Sequence, residues 1–175
     1  AYLENLEVPK VAGRDIPQFP TGDSYQILQA NLKFLSSDKT VKAVVVTSSV
    51  SKEGKSSVAA NLAVAMSEIG RKVLLIDADM RHQVQHHVWG MTNSVGLSNL
   101  IVDQIPVEVA VQKATPNLDV LPSGILPPNP VALLDSQRMT TLVDIFTSKY
   151  EFVVFDTPAL AGTADASVLN KLVDG

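Results

Sequence analysis

Cysteine is missing from all 175 residues. Its absence excludes disulfides and thiolate metal sites and fits a reducing compartment. Charge is also sparse: 18% of residues are charged, no Lys/Arg block occurs, and the formal net charge is -4. A mildly acidic chain of this kind has no electrostatic reason to bind nucleic acid, so none is expected as a partner. No apolar run approaches the ~20 residues of a membrane-spanning helix, and no signal-peptide pattern opens the chain, so a soluble chain is expected. Internal repeats and low-complexity segments are lacking too. The chain starts at Ala1 and closes on "LVDG", which suggests a piece of something longer.

What is present is a 46% hydrophobic composition, enough for one domain with a sizeable core. Residues 1–21, with prolines and no sustained period, read as a linker or arm. Residues 22–175 read as the domain. Asp23 is a candidate N-cap for a helix with Tyr25, Leu28, Leu32 and Leu35 on one face. "VKAVVVT", "KVLLIDAD", "NLDVLPSG" and "YEFVVFDTP" read as strands. Between and after them, Ser56–Ile69 (stopped by Gly70), Val131–Phe146 and Thr163–Leu172 read as helices. Near-continuous apolar strands alternating with helices predict an α/β fold, a mostly parallel sheet covered on both faces.

After the first strand, residues 49–56 read "SVSKEGKS", close to the phosphate-loop spacing of Gly, four residues, Gly-Lys-Ser/Thr. Gly54, Lys55 and Ser56 match, while Ser49 replaces the first glycine. Such a loop presents successive backbone N–H groups to anionic oxygens, and the following helix N-terminus adds positive potential. Lys55 can neutralise the β/γ-phosphates, and the Ser56 hydroxyl can ligate Mg²⁺. Two further strands end in carboxylates, "VLLIDADMR" in Asp77 and Asp79 with Arg81 beyond, and "EFVVFDTP" in Asp156. Parallel sheets bind ligands beyond the carboxyl ends of their strands, so these segments together predict a Mg-nucleotide site. ATP or ADP would be held by Ser51, Lys52, Glu53, Gly54, Lys55, Ser56, Ser57 and Arg81.

In these motifs the chain resembles the bacterial tyrosine kinases, a phosphate-loop NTPase group acting in capsule and exopolysaccharide synthesis. "SVSKEGKS" resembles their Walker A motif, "VLLIDADMR" their A′ motif and "FVVFDTP" their Walker B motif. "GLSNLI" and "LPSGILPPNPVALLDSQRM" extend the resemblance from about Asp23 to the end. Related partition and division-site ATPases carry a lysine at the second Walker A position, where Val50 stands here. No "HRD" or "DFG" of the eukaryotic-type kinases occurs.

The resemblance implies that Ser56, Asp77 and Asp156 hold Mg²⁺ and that Lys55 grips the phosphates. Asp77 or Asp79 would accept the proton of an attacking tyrosine. It also implies a membrane activator or polysaccharide co-polymerase as partner, on the same chain upstream or separate, and a cytoplasmic place at the inner face of the membrane. The family's ring-forming Glu-x-x-Arg-x-x-Arg helix reads Asp23, Gln26, Gln29 here, which predicts weak association between kinase copies. Ala132 stands where an acidic residue is usual. A further strand and a tyrosine-rich tail are expected beyond Gly175, together with the segment that contacts the adenine base.

His82, His86 and His87 are too few for a zinc site and read as part of a polar, mobile loop over the site. Trp89 reads as a partly buried anchor. Tyr2 falls in the arm, while Tyr25 and Tyr150 read as packed, so little self-phosphorylation is expected of these residues alone. Tyrosine autokinase is the leading reading. A nucleotide-switched ATPase of the partition type is the alternative, and an inactive scaffold is a third.

Overall fold

The computed structural model describes residues 40–161 and 163–173, together with Ile27, Ala30 and Asn31, which are helical and exposed. Tyr2, Asp23, Tyr25, Gln26, Gln29 and the apolar positions of the first expected helix lie outside the described residues.

Five strands form one sheet in the order β1-β5-β2-β4-β3. They are β1 (Ala43–Val46), β2 (Val73–Asp77), β3 (Gln112–Thr115), β4 (Leu118–Leu121) and β5 (Phe152–Asp156). β1, β5, β2 and β4 run parallel. β3 pairs with β4 antiparallel, so the expected four-strand sheet gains a hairpin at one edge. "QKAT" carries no strand signal of its own because it is half-exposed and polar, lacking the apolar run that marks its neighbours.

The apolar strands are buried on both faces because consecutive side chains point to opposite sides. Leu74, Ile76, Val153 and Phe155 enter one core. Their sequence neighbours Val73, Leu75, Phe152 and Val154 enter the other. The second core is sealed by α1 (Lys55–Glu68) through Ala59, Ala60, Leu62, Ala63 and Met66, and by Trp89 of α2 (Gln85–Trp89). The first lies under α3 (Leu97–Val102), α4 (Val107–Ala110), α5 (Pro130–Leu134), α6 (Gln137–Lys149) and α7 (Asp165–Asn170). Each fully buried Leu, Ile or Phe contributes roughly 1.5–3 kcal/mol. Phe155→Ala, at 0% exposure, would cost about 3–5 kcal/mol.

The helix expected over Val131–Phe146 is two helices, α5 and α6. Asn129 caps the first, its side-chain oxygen accepting from the Ala132 N–H at 3.2 Å, with Pro130 at the first helical position. Ser136 caps the second, accepting from the Met139 N–H at 3.1 Å. That cap restarts the helix at a new angle although the apolar spacing runs on across the break. The last helix spans Asp165–Asn170, shorter than the expected Thr163–Leu172. At Gly96 a Cβ atom would lie 2.2 Å from the Gly124 backbone nitrogen. Only glycine therefore lets the start of α3 rest on the chain leaving β4, where Leu97 N–H donates to Pro122 O at 2.8 Å.

Candidate functional site

Three strand ends meet at one edge of the sheet. β1 runs out into the loop before α1, and β2 and β5 end in Asp77 and Asp156, which are register partners on adjacent parallel strands. The loop is bent by two left-handed residues, Lys52 at φ 70° and Gly54 at φ 81°. A Cβ at Gly54 would meet nothing, so glycine is needed there for its conformation, not for space. Ser49 has no such φ, which explains why serine can stand in for the first glycine of the pattern. No side chain caps α1 behind Gly54, so the first N–H groups of that helix are available to an anion.

Lys55 Nζ lies 3.3 Å from Asp79 Oδ2, with the two side chains 13% and 1% exposed. The other oxygen of Asp79 accepts from the His82 N–H at 3.0 Å. Asp77 accepts from the backbone N–H groups of Val84 and Gln85, both 3.0 Å from its Oδ2. This carboxylate nucleates α2, so residues 84–89 are not the mobile loop that their polar composition suggested. Gln85 is fully buried and sends its amide Nε2 to Asp156 Oδ2 at 2.8 Å and to the Ser56 carbonyl at 3.0 Å. Trp89, 4% exposed, donates its indole N–H to Gln85 Oε1 at 3.2 Å.

Asp77 and Asp156 are each 0% exposed, and both titrate above the ordinary carboxylate range. For Asp77 burial is the main cause, followed by the negative charge of Asp156; the two backbone N–H bonds pull the other way and Asp79 pushes it up again. For Asp156 burial again dominates, partly offset by the hydrogen bond from Gln85, by the nearby Ser56 hydroxyl and by the charge of Lys55. One oxygen of each, Asp77 Oδ1 and Asp156 Oδ1, is buried and has no partner among the described residues. Two crowded carboxylates with a free oxygen each, beside the Ser56 hydroxyl, fit a divalent cation. Mg²⁺ takes one or two carboxylates and fills its octahedron with water and phosphate oxygens. Among the described residues no group of three or more His, Asp or Glu is arranged as an all-protein metal cage.

The remaining expected site residues fall differently. Ser51, Lys52 and Glu53 are exposed at the loop tip, and the Glu53 carboxylate accepts from the Val50 N–H at 3.3 Å. Ser57 lies in the first turn of α1, where its carbonyl accepts from Asn61 at 2.8 Å. Arg81 is directed at α7, where its guanidinium meets the buried Asp165 at 2.5 Å. His82 is largely exposed and lies outside α2. Gln85 and Asp165 were not anticipated. Each acts on a partner 71 or 84 residues away in sequence, and no local spacing announces such a contact. Ser123, whose hydroxyl donates to the Asp77 carbonyl at 2.7 Å, was likewise missed.

A family model described as "AAA domain" matches residues 41–171. The tyrosine-protein kinase YwqD of Bacillus subtilis is 41% identical over 160 residues, covering 91% of this chain and 68% of that protein. The putative tyrosine-protein kinase EpsB of Ralstonia solanacearum is 37% identical over 89% of this chain, which spans only 21% of EpsB. Among solved structures, the chimerical protein CapA2B2 superposes with a TM-score of 0.86 at 35% identity, covering 91% of this chain and 70% of that one. The septum site-determining protein MinD of Pyrococcus horikoshii, solved with Mg-ADP, superposes with a TM-score of 0.63 at 26% identity, covering 75% and 54%.

Proposed function

The chain belongs to the family of bacterial tyrosine-protein kinases, and on that footing we propose that it binds Mg-ATP at the Ser49–Ser57 loop and phosphorylates tyrosine. The observation that carries the site assignment is the convergence of Lys55, Asp79 and the Asp77–Asp156 pair at three neighbouring strand ends. Lys55 and the uncapped N–H groups of α1 take the phosphates. Ser56, Asp77 and Asp156 hold Mg²⁺, directly or through water. Bound there, the cation would supply charge neutralisation to the phosphates.

Asp79 is the base in this reading. In the free protein its carboxylate is engaged by Lys55, and phosphates that draw the lysine away leave Asp79 open to accept a proton. The tyrosine oxygen then bonds to the γ-phosphorus, the bond to the β-phosphate oxygen breaks, ADP leaves, and the phenolic proton passes to Asp79. The acceptor is a tyrosine outside the described core. Tyr150 does not qualify, being 8% exposed with its hydroxyl donated to Asp119 at 2.7 Å.

The physiological setting follows from the motif resemblance: control of capsule or exopolysaccharide synthesis and export, with a membrane activator and at the inner face of the cell membrane. No helix among the described residues is long and apolar enough to cross a membrane. EpsB, of which this chain spans 21%, leaves room for such a segment on one polypeptide. Association between copies is weak, since Gln26 and Gln29 lack the charge for an inter-subunit ion pair.

The test is labelled ATP with a tyrosine-bearing peptide and an activator peptide, read by phosphotyrosine mapping. Label on the peptide and none on Tyr150 is expected. Phosphate release with no phosphotyrosine would instead assign the chain to the nucleotide-switched ATPases.

A further inference from the structure

Gln85 touches every residue assigned to the metal. Its backbone N–H donates to Asp77 Oδ2, and its side-chain Nε2 donates to Asp156 Oδ2 and to the carbonyl of Ser56. The orientation of the amide is not free. Trp89 donates to Oε1, so the carbonyl end faces the indole and the NH₂ end must face the carboxylate. Each carboxylate is thereby engaged through one oxygen, and the other oxygen of each stays buried and unpartnered among the described residues.

We infer that Gln85, oriented by Trp89, is a positioning residue for the metal site: its side chain ties down one oxygen of Asp156, beside an Asp77 already held by the Val84 and Gln85 backbone N–H groups, and so presents the other oxygen of Asp156 to the cation. This rests on the assignment of Ser56, Asp77 and Asp156 to Mg²⁺. Gln85 is no ligand in this arrangement: its NH₂ group faces Asp156 and Ser56, and its oxygen is turned to Trp89. Its effect is on the angle and reach of the Asp156 carboxylate. Without that bond Asp156 would be free to rotate, and its bond to the cation would have to form against that freedom. The same side chain also links α2 to the first turn of α1 through the Ser56 carbonyl.

The experiment follows Mn²⁺ binding to the ADP complex by electron paramagnetic resonance, together with ADP affinity in the absence of metal. Gln85→Met keeps the side-chain length without the hydrogen bonds, and Gln85→Asn keeps the amide without the reach. Both should weaken Mn²⁺ binding about 10- to 100-fold, the usual loss when a partner of a ligand is removed, while metal-free ADP affinity stays within about twofold. Asp156→Asn is run beside them. If Asp156→Asn loses Mn²⁺ and both Gln85 variants hold it as the parent does, the role of Gln85 is overturned and the metal site stands. If Asp156→Asn also holds Mn²⁺, the metal assignment itself fails. Equal loss of metal and of metal-free ADP would mark Gln85 as packing alone and overturn the inference. A readout on the unaltered protein guards against variants that do not fold. Trp89 is the single tryptophan, so its emission should shift when Mg²⁺ is added to the ADP complex, and an unchanged spectrum would count against the linkage.

Discussion

Aspartates at two places in the same sheet are treated in opposite ways. On β4, Asp119 accepts from the Tyr150 hydroxyl at 2.7 Å and lies 3.9 Å from Lys113 Nζ, at a partly open edge. At the ends of β2 and β5, Asp77 and Asp156 are sealed from water, lie side by side and keep an oxygen each with no partner among the described residues. The first arrangement relieves a charge and holds the edge hairpin to the residue that ends α6. The second makes ionising both acids costly unless something of opposite sign arrives. A fold keeps that kind of tension where a ligand resolves it.

The contrast is broken most strongly at Lys55, whose charge acts on Asp156. Lys55→Met should weaken ATP or ADP binding at least tenfold, about 1.4 kcal/mol, by calorimetry; equal affinities would remove the loop from the site. Asp77→Asn comes next. It should raise the thermal stability of the ligand-free protein, on the order of 1–2 kcal/mol at pH 8, because it deletes a buried charge beside Asp156. The same change should raise the Mg²⁺ needed for nucleotide binding, and a destabilised variant would contradict the tension just described.

The pH dependence sharpens the same contrast with a smaller effect. Asp77 titrates upward from the ordinary 3.8 to about 8, and Asp156 also titrates upward. The folded state therefore binds more protons than the unfolded chain between pH 4 and 8, and stability falls as pH rises through that window. The midpoint of thermal unfolding for the ligand-free protein should drop from pH 5 to pH 8, and Mg-ADP, which needs the ionised carboxylates, should flatten or reverse that slope. The relieved edge gives the smallest change. Tyr150→Phe should cost about 0.5–1.5 kcal/mol of stability through loss of the bond to Asp119, with Mg-nucleotide affinity unaltered. A shift in that affinity would mean that the two ends are coupled.

The parts of this molecule that could be read in advance are those whose signal is local. The apolar runs ending in Asp77 and Asp156, and the Gly54-Lys55-Ser56 turn after β1, carry their own spacing, so strands, loop and facing carboxylates were legible together. β3 was not, because Gln112–Thr115 pairs at an edge where polar side chains suffice. The break between α5 and α6 was legible in principle in Ser136, a standard capping residue, but the continuous apolar period hid it. Gln85 and Asp165 could not have been found from spacing, since each has its meaning only beside a residue that the fold brings from the far end of the chain.

The close pairing of Lys55 with Asp79 sets a threshold for entry to the loop. An arriving anion has to outcompete a carboxylate already seated on the lysine, in surroundings where exchanging one ion pair for another brings little net gain. Orthophosphate or sulfate offers only that exchange. A nucleotide accompanied by a cation offers more, because the cation simultaneously neutralises Asp77 and Asp156 and the polyphosphate reaches the N–H groups of α1. Occupancy is therefore contingent on two charges of opposite sign arriving together, and the site can remain indifferent to the simple anions of the cell.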